Sequence, residues 1–281
     1  ERYTTVLGMR TRYLEAGAGQ PVLLLHGLGN SCIVFRPNMR ELGRYFHVLA
    51  PDLPGHGRSD KPDGIRYDGL NAARFIAEFL RATGSAPAHL IGVSAGGLIS
   101  GLAASYYPHL VRKVVLVASA GLGPDLSWRL KLPAIPWLGR FFVPKSRRSL
   151  RAVLQNIVYD PSIIADDAVQ ELYEERAIPG NGDALAKAFN TNIGPLGLLR
   201  WRAYRQRLVT LPLPVLIVWG RQDRLLPVRH AYAAVREMKD ARLHVFDRCG
   251  HWPPFEHGQE FNRLVKEFLV GADLQVGPGQ T

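Results

Sequence analysis

Gly92-Val93-Ser94-Ala95-Gly96-Gly97 stands between an apolar run at residues 88–91 and a stretch of helical spacing at 98–107. Glycines two before and two after a serine let a chain leave a strand and enter a helix in one sharp bend. The bend lifts the serine hydroxyl above a sheet and aims the helix N-terminus at the same place. This is the nucleophile-elbow pattern. A serine flanked by glycines is in most chains only a turn residue, so the reading depends on its partners.

A serine hydroxyl is a poor nucleophile near neutral pH; it needs an adjacent base, and the base needs a carboxylate to orient it. Downstream, Pro-Val-Leu-Ile-Val-Trp at 214–219 reads as a buried parallel strand that runs into Gly220-Arg221-Gln222-Asp223. Asp223 therefore falls on the loop at that strand's carboxyl end. A second strand at 242–246 leads into Asp247-Arg248-Cys249-Gly250-His251-Trp252 and places His251 on the next such loop. Sites in open α/β sheets form outside the carboxyl ends of the strands. Ser94, Asp223 and His251 all fall there, in the order nucleophile, acid, base. Asp247 is a rival carboxylate, but it shares the loop of His251 and reads as solvated.

The 281 residues are 47% hydrophobic, enough to bury a large core as one domain or a domain with an insertion. Runs at 22–25, 114–118 and 215–219 are continuously apolar, as strands covered on both faces are. Leu70, Ala73, Ile76, Ala77 and Leu80 give 70–82 helical spacing. The strand–helix alternation stops after residue 123 and resumes at 211. Between lie amphipathic segments at 148–158, 165–177 and 183–191, broken by Pro161, Pro179 and Pro195.

Several classes are set aside. No run of 18 apolar residues is long enough for a transmembrane helix. The nine histidines show no His-x-x-x-His spacing, so neither a metal nor a cofactor is expected. The formal charge of +11 suits anionic surfaces in general, but no nucleic-acid-binding motif accompanies it. Cys32 and Cys249 both neighbour the motifs, leaving a disulfide open, and so low a count fits a cytoplasmic protein. The polar, Gly/Pro-containing stretch 271–281 reads as a disordered tail.

Three further motifs accompany the elbow: His26-Gly27-Leu28-Gly29 after the strand at 22–25, Asp52-Leu53-Pro54-Gly55-His56-Gly57-Arg58-Ser59-Asp60, and His251-Trp252-Pro253-Pro254-Phe255-Glu256-His257. Together they make the chain resemble the α/β-hydrolase-fold enzymes over about residues 3–270. The resemblance implies an α/β fold with a mostly parallel, doubly wound sheet and an inserted helical cap. The core would comprise 1–123 and 211–270, and the cap 124–210. It also implies that the backbone N–H groups of Leu28 and Ala95 form an oxyanion hole, where losing one donor costs about 3 kcal/mol of barrier. His26 and His56 would be structural. Dehalogenases and epoxide hydrolases of this fold use an aspartate nucleophile, and Ser94 speaks against both.

Residues 249–268 are similar in detail to the meta-cleavage-product hydrolases, which cut a carbon–carbon bond in vinylogous 1,5-diketo acids. Trp252 matches the tryptophan that follows their histidine. That resemblance implies a cap arginine on the substrate's dienoate carboxylate. Alignment from Val158-Tyr159-Asp160-Pro161-Ser162 puts Leu172 at its position, with Arg176 one turn further on. The oxyanion motif also departs, reading Gly27-Leu28-Gly29-Asn30 where that family continues Gly-Pro-Gly. On these departures the expectation is a carboxylesterase-like serine hydrolase acting on a small-molecule ester, with Trp252, Leu172 and Arg176 as candidate substrate contacts. The alternative is the carbon–carbon hydrolase, and the second alternative a non-enzymatic ligand-binding protein of the same fold. Residues 128–151 combine seven basic residues with two Trp and two Phe and no acid. They are expected either to line a substrate tunnel or to touch lipid headgroups.

Overall fold

A computed structural model describes residues 1–131, 146–194 and 196–271. Eight strands share one sheet: β1 (Arg2–Val6), β2 (Met9–Ala16), β3 (Pro21–Leu25), β4 (His47–Pro51), β5 (Ala88–Val93), β6 (Val111–Val117), β9 (Val215–Gly220) and β10 (Ala241–Phe246). Their order is β1-β2-β4-β3-β5-β6-β9-β10. β1 pairs antiparallel with β2, and β2 antiparallel with β4; every other pairing in the sheet is parallel. β7 (Ile193–Gly194) and β8 (Gly197–Leu198) form a separate short ladder. The hairpin of β1 and β2 carries Arg2, Thr4, Thr5, Arg10, Thr11 and Arg12 rather than a continuous apolar run, so hydrophobic patterning does not mark it.

Side chains alternate across a strand, and the two faces feed two cores. Leu23, Leu25, Leu90, Val114, Leu116, Ile217 and Trp219 pack on one side with α2 (Gly69–Ala82) and α3 (Ala95–Tyr106). Val22, Leu24, Ile91, Val115, Leu216 and Val218 pack on the other with α1 (Arg36–Leu42) and with α11 (Gly258–Val270). α2 begins where Asp68 accepts the Asn71 N–H, satisfying one of the donors that a helix start leaves over.

Between β6 and β9 lie α4 (Trp128–Lys131), α5 (Arg147–Ile157), α6 (Asp166–Arg176), α7 (Asn181–Asn192) and α8 (Trp201–Val209). Reciprocal hydrogen bonds between Ser146 and Ser149 start α5. Asp166 and Asp167 sit at the positive end of α6 and Arg176 at its negative end. These helices are fastened to the sheet from both sides. Leu150, Leu154, Val169 and Leu172 belong to the core that holds Val93 and Trp252. Ile193, Leu198, Tyr204 and Leu208 belong to the other. Among the described residues no helix is long and apolar enough to cross a membrane. The remaining helices, α9 (Arg229–Val235) and α10 (Pro253–Glu256), flank β10.

Leu150 is fully buried in the core shared by α5 and the sheet. Leu150→Ala should cost about 2–5 kcal/mol, the usual range for a leucine truncated in a packed core. Urea unfolding followed by circular dichroism should show one transition at a lower midpoint. A separate early transition would mean that these helices melt independently of the sheet.

Candidate active site

Ser94 sits at φ 58°, ψ −117°, a backbone conformation that non-glycine residues adopt only when the surroundings enforce it. They do. A Cβ on Gly92 would meet the Gly96 carbonyl oxygen at 2.1 Å, and one on Gly96 would meet the Leu25 carbonyl oxygen at 2.1 Å. Only glycine permits the bend. Its hydrogen bonds are complete: the Ser94 N–H donates to Val117 O at 2.8 Å, and the Ser94 carbonyl accepts from Gly97, Leu98 and Ala120.

Asp223 and His251 meet across two loops. Oδ1 of Asp223 accepts the N–H groups of Leu225 (2.8 Å) and Leu226 (3.0 Å), which leaves Oδ2 for His251 Nδ1 at 2.8 Å. With Nδ1–H as the donor to a carboxylate, Nε2 is the acceptor. Ser94 and His251 line one cavity. Asp247 is exposed and engages Gln222 and Arg221 instead. Glu256, to which the sequence motif assigns no role, is the brace of the histidine loop. Its carboxylate accepts the backbone N–H groups of Gly250 (2.8 Å), Trp252 (3.0 Å) and Tyr159 (2.6 Å). The His251 N–H in turn donates to Ile157 O at 2.7 Å, so the end of α5 forms a wall of this loop.

The loop after β3 lies against the serine: a Cβ on Gly27 would stand 3.2 Å from Ser94 Cβ. Leu28 and Ala95 line the cavity beside it. His26 ties this loop to the next. Its Nδ1–H donates to the Gly27 carbonyl (2.8 Å), and its Nε2 accepts the Leu53 N–H (3.0 Å). His56 Nδ1–H donates to Pro54 O at 3.1 Å. Burial pushes the His26 imidazole down to about 4 and the His56 imidazole to about 3. Cys32 and Cys249 are both buried and free, so no disulfide joins them. Burial drives both thiols up, away from thiolate chemistry.

The cavity measures about 1150 Å³ and is walled mainly by apolar side chains, among them Leu53, Leu98, Ile99, Leu126 and Phe189. Trp252 lines it and stacks on Phe255, ring centroids 5.0 Å apart. Leu172 does not line it; that side chain packs in the core instead. Arg176 does line it. Its Nε and Nη2 donate to the Gly29 carbonyl at 3.0 and 2.6 Å, and burial lowers the guanidinium to about 10. Among the described residues no carboxylate pairs with Arg176. Of the segment 128–151, Trp128 and Leu130 line the cavity, while Arg147 and Arg151 bond to Gln170 and Asp166 of α6. Residues 132–145, on which most of the tunnel or lipid-contact expectation falls, lie outside the described residues, as does the tail from 272 on. Among the described residues no cluster of His, Cys, Asp and Glu is arranged to hold a metal ion.

The model of the alpha/beta hydrolase fold family matches residues 20–258. The chain belongs to that family. This α/β hydrolase is 34% identical over 260 residues, 91% of its length and 90% of the relative's, to a 2-hydroxy-6-oxo-6-phenylhexa-2,4-dienoate hydrolase of Burkholderia cepacia. It is 32% identical to a 2-hydroxy-6-oxo-2,4-heptadienoate hydrolase of Pseudomonas putida, covering 95% of both chains. Among solved structures it is similar to a meta-cleavage product hydrolase of Pseudomonas fluorescens. There the TM-score is 0.83 at 30% identity, covering 97% of this chain and 98% of that one. The protein is a hydrolase. The carboxylesterase expectation is corrected by these relatives, whose names are those of carbon–carbon hydrolases. The expectation rested on the oxyanion motif and on the leucine at 172; Leu172 lies outside the cavity, and Arg176, one turn on, lines it.

The buried imidazoles set a pH dependence of stability. In the unfolded chain both protonate near their ordinary value of about 6.5; in the fold they stay neutral down to about 4 and about 3. The unfolded state therefore binds more protons in that window. Stability is undiminished above about pH 6.5 and falls with acidification, with a limiting slope from the pair of about 2.7 kcal/mol per pH unit. Urea unfolding at pH 7, 6 and 5 should trace this loss, and His56→Asn should halve the slope to about 1.4 kcal/mol per pH unit, the share of His26. An unchanged slope in that variant would remove His56 as a source.

Proposed function

We propose that this α/β hydrolase cleaves a carbon–carbon bond in 2-hydroxy-6-oxo-dienoates through a serine nucleophile. The observation that carries the reading is Arg176, a largely buried cation without a carboxylate partner among the described residues, in a cavity walled mainly by apolar side chains that Ser94 also lines, whereas Arg66 and Arg74, which line it too, are exposed. An apolar substrate body with one terminal carboxylate suits such a cavity, and the relatives' names describe that class of molecule. The guanidinium has five donors; two hydrogen bonds to the Gly29 carbonyl leave three for an incoming carboxylate.

In this reading His251 Nε2 takes the Ser94 hydroxyl proton as Oγ adds to the substrate's ketone, and Asp223 stabilises the imidazolium that forms. The N–H groups of Leu28 and Ala95 receive the negative charge that develops on the ketone oxygen. The leaving group is carbon, so its electron pair must be delocalised. Moving a proton from the 2-hydroxyl to the carbon beside the ketone makes that carbon saturated and conjugates its carbanion, through the remaining double bond, with the new carbonyl. Bond cleavage then leaves an acyl group on Ser94. The imidazolium returns its proton to the departing carbon or its enolate, and a water molecule activated by His251 releases the acid. Helices α4 to α8 act as a cap that keeps bulk water from the carbanion. Trp252 and the apolar wall hold the acyl portion.

Ser94→Ala should abolish turnover and fluorophosphonate labelling while the protein stays folded. The wild type should favour a dienoate diketo acid over any neutral ester in kcat/KM. Arg176→Ala should lower kcat/KM for the acid by more than for the ester, the excess being about 1.5–3 kcal/mol, roughly 10- to 150-fold. A wild type that prefers neutral esters, or equal losses on both substrates, would overturn the carboxylate role.

A further inference from the structure

We infer that Arg176 is also a positioning residue for the oxyanion loop, and that a buried ion pair between Glu175 and Arg12 holds it to that task. The inference rests on the proposed roles of Ser94 and of the Leu28 N–H, and adds to them a part that does not depend on the substrate's charge.

Gly29 is the residue after Leu28, and its carbonyl receives two hydrogen bonds from the guanidinium. Fixing that carbonyl limits rotation of the backbone next to the Leu28 donor. Gly29 lies at φ 75°, which glycine adopts without strain, in a turn closed by the Asn30 N–H on the Gly27 carbonyl at 3.2 Å. Further along the same loop, Asp52 Oδ1 accepts the Cys32 N–H at 2.7 Å. The carboxylate of Asp52 stands 3.3 Å from Arg12 Nη1, and Arg12 Nη1 also bonds Glu175. The loop is thus held at Cys32 by the Asp52 of this cluster and at Gly29 by Arg176, whose chain neighbour Glu175 belongs to the cluster. Arg12 and Asp52 have fully buried side chains, and Glu175 is 5% exposed. Neighbours on a helix point about 100° apart, so Glu175 can enter the buried cluster while Arg176 reaches the cavity. Asn181 adds a second fastening, donating through Nδ2 to the backbone carbonyls of Glu175 and Gly57. Breaking a buried pair by removing one partner strands the other charge, so this cluster holds the last turn of α6 firmly.

A neutral fluorophosphonate tests the brace, because it carries no carboxylate yet needs the oxyanion donors. Ser94 Oγ displaces fluoride from phosphorus while His251 takes the hydroxyl proton. The second-order inactivation rate is measured for the wild type and for Arg176→Ala, Arg176→Lys and Glu175→Gln. Circular dichroism and the urea midpoint show which variants are folded. Arg176→Ala is expected to react about 10- to 100-fold more slowly, the effect of a misplaced catalytic donor. Added methylguanidinium should restore part of the rate, which a general loss of structure would not allow. Arg176→Lys, which keeps the charge but not the fork, should fall between, and it decides the question if the alanine variant does not fold. Glu175→Gln should slow the reaction in the same direction. Reaction of folded Arg176→Ala and Arg176→Lys at the wild-type rate would overturn the brace. Absence of labelling in the wild type would instead overturn the nucleophile assignment.

Discussion

The site depends on how closely the start of α3 passes the end of β3. At Gly96 the backbone approaches the Leu25 carbonyl so nearly that a single added carbon would collide with it. That contact forces the left-handed geometry of Ser94, raises its hydroxyl above the sheet, and brings the loop of Gly27 and Leu28 alongside. Strain at one residue is sustained because both neighbouring strands, β3 and β6, are buried and paired. Had either been an edge strand, the bend could relax and the serine would sink into the turn.

The sequence is most legible where physics is local. The elbow, the buried parallel strands and the loops after β9 and β10 follow from glycine spacing and continuous apolar runs, and they place Ser94 and His251 on one cavity with Asp223 hydrogen-bonded behind the histidine. Where contacts are long-range, spacing is silent. Nothing in the sequence says that Glu256 collects three backbone N–H groups from two separate segments, or that Glu175 finds Arg12. The hairpin of β1 and β2 escapes notice because one flank is polar and patterning sees only half a strand.

Leu172 and Arg176 show the limit most clearly. They lie one turn apart on nearly the same face of α6, and alignment singles out the first. The helix carries that face from an apolar core at Leu172 to the mouth of the oxyanion loop at Arg176. A cation at the first position would be buried among aliphatic side chains at high cost; at the second it finds a carbonyl and a cavity. A missing arginine at one aligned position therefore points toward neutral esters, whereas the cavity is lined by Arg176, which pairs with no carboxylate among the described residues.

The hydrogen bond from the histidine loop to the end of α5 has a mechanical meaning. His251 holds the Ile157 carbonyl through its own main chain, and Tyr159 hangs from Glu256 on the same loop. Residues 157–159 are thus riveted to the histidine loop. A displacement of the end of α5 would break these bonds and pull on the loop that sets the imidazole against its carboxylate. The imidazole and the helical segment between β6 and β9 are in this way one mechanical unit, joined main chain to main chain.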